Sequence, residues 1–156
     1  MTTIAPPATT GRIAFDPHAC RTCRVCETAC SIAHEGVASP ALARINIFFD
    51  EFSLQEPIRG VICYQCLDAP CMEICPVEAL YRDELSGAVC IDADKCIGCM
   101  QCRKACPWDV PKRHPEKRLA LKCDLCADRS EGPACLQICP LVGKALTRIE
   151  PTTQGE

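Results

Sequence analysis

Apolar residues in this chain gather in short runs, and none approaches the about 18 consecutive apolar residues of a membrane span. Arg44 to Phe49 (RINIFF) and Gly60 to Tyr64 (GVICY) combine β-branched and aromatic residues and read as strands. From Val77 to Asp92 (VEALYRDELSGAVCID) the pattern predicts a helical turn and then a hairpin reversing at Ser86-Gly87. Ala88, Val89, Cys90 and Ile91 would form its return strand, with Cys90 a small buried hydrophobe. Leu146 to Glu150 (LTRIE) reads as a further strand, and the polar stretch from Ala127 to Ala134 as an exposed loop. Residues 1–12, rich in Pro and Thr, predict a mobile arm, and residues 151–156 a similar tail, which leaves 13–150 as the folded unit.

Composition changes the picture of the core. Hydrophobic residues make up 48% of the chain, but 17 of the 156 residues are cysteine. Without them the apolar share falls to about 37%, and only seven residues are aromatic. So thin a core implies that something bound to the cysteines replaces it, and that the chain is largely unfolded without that group.

Sixteen of the cysteines form four quartets: Cys20, Cys23, Cys26, Cys30; Cys63, Cys66, Cys71, Cys75; Cys96, Cys99, Cys102, Cys106; and Cys123, Cys126, Cys135, Cys139. The third reads C-x2-C-x2-C-x3-C-P, the bacterial ferredoxin run for cubane iron–sulfur clusters. The second widens the gap before its third cysteine to four residues and the fourth to eight, while the first has Ser31 where the others have Pro76, Pro107 and Pro140. All four keep the opening C-x2-C and the closing C-x3-C. A C-x2-C loop can wrap one metal group. Cysteines at i and i+4 lie on one face of a helical turn, so the third can serve one cluster while the fourth reaches a neighbour. Proline after the fourth resists continuation of that turn.

Two other uses of cysteine fit less well. A disulfide scaffold suits secreted mini-proteins, but the N-terminus shows no basic stretch followed by an apolar one, the total is odd, and the spacings are metal-like. Zinc sites use paired C-x2-C knuckles and have no need of a C-x2-C-x2-C triplet or a terminal C-x3-C-P. His18, His34 and His114 are expected at the surface or in packing, since sixteen cysteines complete four cubanes.

The order and spacing of these quartets resemble the four-cluster ferredoxin-like subunits of the DMSO reductase iron–sulfur family, over roughly residues 12 to 150. The resemblance implies an α+β fold of two nested bacterial-ferredoxin-like modules, with short helices and small antiparallel β-hairpins around four [4Fe–4S] clusters. It implies an outer pair of ligand sets, Cys20, Cys23, Cys26 with Cys139 and Cys123, Cys126, Cys135 with Cys30. The inner pair would be Cys63, Cys66, Cys71 with Cys106 and Cys96, Cys99, Cys102 with Cys75. It further implies a non-catalytic electron-transfer subunit between a catalytic oxidoreductase subunit, expected to contain a molybdenum- or tungsten-pterin, and a second redox subunit, ferredoxin or flavoprotein. A free polyferredoxin carrier is the alternative. A wire with two conducting ends also allows copies to associate end to end. Many family members are longer, often with a membrane-facing extension, and the shortness of this chain argues against a membrane quinone route; without a long apolar run, direct membrane insertion is not expected.

Charge adds two expectations. The formal charge is −3, and four [4Fe–4S]2+ cores with their thiolates would carry it to about −11, which argues against nucleic-acid binding. Arg21 and Arg24 in the first quartet and Lys95, Arg103 and Lys104 at the third would favour cluster reduction, whereas Asp68 and Glu73 in the second would oppose it. That predicts a lower potential at Cys63, Cys66 and Cys71 than at Cys96, Cys99 and Cys102; screening of exposed charges is the competing expectation. Lys112 to Arg118 (KRHPEKR) reads as a solvated basic loop, and Trp108 as a shield over a cluster. No phosphate loop or nucleophile–base pair stands out. Cytoplasmic location is expected, with export in a folded state beside a signal-bearing partner as the alternative.

Overall fold

The computed structural model describes residues 9–151. Its elements are, in order, β1 (Arg12–Phe15), α1 (Val25–Glu35), β2 (Asn46–Phe49), β3 (Ile58–Val61), α2 (Pro70–Glu73), β4 (Leu80–Arg82), β5 (Val89–Ile91), α3 (Gln101–Ala105), β6 (Lys112–Arg113), β7 (Ala120–Leu121), α4 (Ala134–Ile138) and β8 (Leu146–Ile149). The strands pair antiparallel in four two-stranded sheets, β1–β8, β2–β3, β4–β5 and β6–β7. This is the expected α+β fold of short helices and small hairpins. Two-stranded sheets are marginal on their own, so each leans on the cysteine-bearing loops between them.

The sheets are nested. β1 pairs with β8 from Arg12 opposite Ile149 to Phe15 opposite Leu146, which closes the first quartet against the fourth. β4 and β5 lie between the second and third quartets, with Leu80 opposite Ile91. The larger core joins Ile13, Ile45, Ile47, Ile62 and Leu146 to Cys26, Cys30, Cys63, Cys123 and Cys135. A smaller one joins Leu80, Val89, Ala69 and Ala120 to Cys102. In both, thiols occupy positions that aliphatic side chains fill elsewhere.

The strand following Arg44 begins at Asn46, and the next is Ile58–Val61 rather than Gly60 to Tyr64. Ile62, Cys63 and Tyr64 leave the ladder because the chain there turns into the Cys63 loop. Gly60 remains in the strand, and a Cβ there would lie 2.5 Å from the Phe15 ring, so a side chain is excluded unless that ring moves. The helical turn predicted at Val77 is a plain turn without helix. The hairpin that follows is as expected, with Cys90 buried on β5. Of the arm expected over residues 1–12, residues 1–8 lie outside the described residues, and Thr9 to Arg12 are attached to the fold. Thr9 bridges to Cys66, and Thr10 Oγ1 donates to the Gly87 carbonyl at 2.8 Å. Of the tail, only Pro151 is described, and it is exposed.

Candidate metal centre

The four C-x2-C loops share one backbone device. The residue before the second cysteine is left-handed in each: Thr22 (φ 52°), Gln65 (φ 50°), Gly98 (φ 65°) and Leu125 (φ 59°). That conformation folds the loop back on its first cysteine. The amide of Thr22 donates to Cys20 Sγ at 3.3 Å, and that of Gln65 to Cys63 Sγ at 3.5 Å. Other loops supply further donors: Arg44 N to Cys30 Sγ at 3.2 Å, Ala79 N to Cys75 Sγ at 3.3 Å and Ala120 N to Cys96 Sγ at 3.5 Å. Such donors stabilise sulfur in its anionic form.

The closing C-x3-C motifs lie on helices, as their spacing predicts. Cys71, Cys102 and Cys135 are on α2, α3 and α4, and Cys75, Cys106 and Cys139 lie just past the helix ends. Cys106 (ψ 117°) and Cys139 (ψ 119°) are extended, which is what a following proline imposes on the residue before it. The helix is thereby stopped and the fourth thiol turned away from the third. In the first quartet Ser31 replaces proline, and α1 runs on through Cys26 and Cys30 to Glu35.

Cysteines from different quartets converge. Cys63, Cys66, Cys71 and Cys106 line one cavity. Cys20, Cys23, Cys26 and Cys139 line another. Cys71, Cys75 and Cys96 pack against the smaller core that contains Cys102, with Cys71, Cys96 and Cys99 within electrostatic reach of Cys102. Cys135 is buried within reach of Cys30 and Cys126, and Cys123 within reach of Cys135. Burial, reinforced by the neighbouring sulfurs, pushes the Cys66 and Cys102 thiols up to about 11. Burial followed by Glu27 carries Cys26 to about 12, and burial lifts Cys123 and Cys135 well above the usual thiol range. Four mutually repelling thiolates with convergent geometry and amide donors are a donor set for a cationic, thiophilic group. Iron–sulfur clusters fit them.

The surroundings hold groups that the sequence does not advertise. Glu27 is wholly buried on α1 and accepts from Ile47 N at 2.7 Å, Asn46 Nδ2 at 3.3 Å and Arg24 Nε at 2.6 Å. Gln65, also wholly buried, donates to the Cys123 carbonyl and accepts from Val89 N, each at 2.8 Å. Lys122 is buried in the wall of the Cys63 cavity, and its Nζ donates to the carbonyls of Val89 and Cys123. Asp124 binds Arg44 Nη1 and, at 3.1 Å, His34 Nε2; His34, Asp124 and Cys126 present ligand-type atoms within 4.8 Å of one another. Burial works against a charged His34, but its bonds with Asp124, Cys126 and Cys30 outweigh it and raise the imidazole to about 12. Burial likewise opposes a charged Asp124, yet His34 and Arg44 bring its carboxyl down to about 2.

Other sequence expectations can be located. Trp108 lines the Cys63 cavity and stacks on Tyr64 with ring centroids 4.5 Å apart, so it does cover that site. His18 is exposed, His34 is half-buried with its ring packed inside, and His114 is buried. In the basic loop, Lys112 Nζ donates to Asn46 Oδ1 at 2.9 Å and Lys117 Nζ to Glu35 Oε2 at 3.1 Å, so these cations are engaged within the chain. Three charges expected to act on clusters also have carboxylate partners: Arg24 with Glu27, Lys95 with Asp92 and Arg103 with Asp109. Among the described residues no helix is long and apolar enough to cross a membrane.

Comparison with known proteins agrees with this geometry. A family model described as a 4Fe-4S dicluster domain matches residues 57–148. The chain is 39% identical over 141 residues to the polyferredoxin-like subunit of an aliphatic sulfonate oxidoreductase from Pyrococcus furiosus, covering 88% of this chain and 76% of that protein. It is 37% identical over 137 residues to the putative electron transport protein YsaA of Escherichia coli, covering 82% and 83%. Among solved structures, the active site complex BamBC of benzoyl coenzyme A reductase bound to benzoyl-CoA has a chain that matches with a TM-score of 0.53 and 22% identity, over 94% of this chain and 82% of that one. That likeness is one of fold.

Proposed function

The chain belongs to the 4Fe-4S dicluster domain family, and from that premise we propose that it is the electron-transfer subunit of an oxidoreductase and holds four [4Fe–4S] clusters. The carrying observation is the cavity enclosed by Cys63, Cys66 and Cys71 of one quartet and Cys106 of another, the crossed set that nested ferredoxin modules require. The Cys20, Cys23, Cys26 and Cys139 cavity repeats the arrangement at the outer pair. The proximities of Cys30 to Cys135 and of Cys75 to Cys96 and Cys102 support the other two sets.

When bound, each cluster supplies one-electron exchange between its oxidised and reduced forms. The polypeptide would set their order. Cys26 neighbours Cys135, Cys123 neighbours Cys63, and Cys71 neighbours Cys102. These contacts support a single path from the Cys20 set through the Cys123 and Cys63 sets to the Cys96 set. The terminal sets each have one exposed cysteine, Cys23 and Cys99, so electrons can pass to partners at the ends while Trp108 and the buried thiols keep water from the middle. A wire with separate entry and exit suits a linker between a catalytic subunit and a second redox subunit, ferredoxin or flavoprotein. The polyferredoxin-like subunit of the sulfonate oxidoreductase is a relative of that kind. A pterin-containing catalytic partner and a cytoplasmic setting complete the proposal.

Anaerobic purification followed by iron and sulfide analysis tests it. About 16 irons per chain are expected, with co-elution of a larger catalytic subunit. A value near eight would refute four clusters, and a brown monomer without partner from the native host would favour a free carrier.

A further inference from the structure

We propose that Lys122 is the cation that sets the potential of the cluster at Cys63, Cys66, Cys71 and Cys106, and that it makes this cluster easier to reduce than its neighbour at Cys75, Cys96, Cys99 and Cys102. The inference rests on the four-cluster reading above and concerns a residue that is no ligand.

Lys122 follows β7 directly and precedes Cys123, so it lies where the outer and inner pairs of ligand sets meet. It is 3% exposed, and its side chain is part of the cavity wall. Its Nζ donates to the carbonyls of Val89 and, at 2.8 Å, Cys123, which fix the head group without neutralising it. The pocket that its side chain helps to line is ringed by the sulfurs of Cys63, Cys66, Cys71 and Cys106, and the carboxylate nearest to it in the chain is Asp124. Asp124 is already engaged by Arg44 and His34. The anions left for Lys122 to answer are therefore cluster sulfurs.

Position decides which charges count. Asp68 and Glu73, which would lower this potential, are exposed, and so are Lys95, Arg103 and Lys104, which would raise the other. Exposed charges are screened by water and salt, and Lys95 and Arg103 are also paired. A buried charge acts through a much lower effective dielectric. Reduction adds one negative charge to a cluster, so a fixed cation in its wall favours the reduced form. Lys122 thus outweighs Asp68 and Glu73 and reverses the order that the sequence charges alone predict. Because it also touches the Cys123 carbonyl, it biases the next cluster along the path in the same direction, more weakly.

EPR-monitored redox titration of the anaerobic holoprotein tests this with Lys122→Met, Lys122→Gln and Lys122→Arg, and with Glu73→Gln as an exposed control. In the neutral variants one midpoint should fall by at least a tenfold change in reduction constant, 59 mV for one electron, with iron and sulfide unchanged. Lys122→Gln keeps a donor for the carbonyls and Lys122→Arg keeps the charge, so the first should shift and the second stay near wild type. Unchanged midpoints in a fully loaded neutral variant overturn the proposal. So does cluster loss in all three variants, which would make Lys122 a structural tie only. A wild-type protein with fewer than four clusters would instead refute the reading beneath it, an outcome visible before any variant is made.

Discussion

Glu27 shows how much a single residue can carry without being conspicuous. It is a carboxylate with no exposure, and it satisfies the Ile47 amide, the Asn46 side chain and Arg24 together. Glu27→Ala leaves the buried Ile47 amide without its partner, which costs about 1–3 kcal/mol. The denaturant midpoint for loss of visible absorbance in the holoprotein should fall, while exposed Glu73→Ala leaves it in place; equal midpoints would refute this role for Glu27. Nothing in CETAC distinguishes Glu27 from an acid on a solvated helix face, because its burial is created by β2, some twenty residues on. The left-handed loop residues were equally hidden. Gly98 alone has the residue type that the conformation favours, while Thr22, Gln65 and Leu125 adopt it with side chains. Gly98 has a second reason to lack one: a Cβ there would lie 2.7 Å from the Arg118 carbonyl carbon and 2.8 Å from its oxygen. Gly98→Ala should displace that backbone and strip about four irons from the purified protein; a full iron complement would show that the loop can give way.

At the scale of elements, one substitution separates a long helix from three short ones. Pro76, Pro107 and Pro140 end α2, α3 and α4 within a residue or two of the fourth cysteine, whereas Ser31 lets α1 continue to Glu35. The added turn has uses. It carries His34 to Asp124 and Glu35 to Lys117, and Ser31 Oγ, wholly buried, accepts from Ser39 N at 3.0 Å. Ser31→Pro would remove a helix-interior amide and clash one turn back, about 3 kcal/mol or more, and release those ties, among them that of His34 to Asp124 in the fourth quartet. Thermal loss of absorbance should come at lower temperature than in wild type, with Ser31→Ala intermediate; a proline variant as stable as wild type would mean that the extra turn contributes nothing. The cysteine spacing and prolines made the helical placement of the C-x3-C motifs legible, and alternation around Cys90 did so for the β4–β5 hairpin. β6 and β7, two residues each, are too short for any period to register. β1 finds its partner β8 only across the whole fold.

For the molecule as a whole, the decisive question is what remains when the clusters are removed. Both cores are built around thiols, with Cys26, Cys30, Cys63, Cys123 and Cys135 in one and Cys102 in the other. Aliphatic residues contribute short strands that pair only two by two. The buried polar residues at the centre, Gln65 and Lys122, hold β5 to the fourth quartet through the Cys123 carbonyl and Val89. Without iron, burial holds the Cys71 and Cys123 thiols above the usual range and neutral, so Lys122 lacks anions that would offset its own burial. An unpaired cation at that depth costs several kcal/mol, comparable with the whole stability of a small domain. Metal binding and folding are then one equilibrium. Removing the clusters under reducing conditions should abolish the cooperative thermal transition in circular dichroism, and anaerobic reconstitution with iron and sulfide should restore it. Should the metal-free chain melt cooperatively near the holoprotein's temperature, the apolar residues alone would suffice and this account of the core would be wrong. Lys122→Met adds an internal control at this scale. If the buried cation contributes to collapse of the metal-free chain, the neutral variant should retain more residual structure after cluster removal than wild type does.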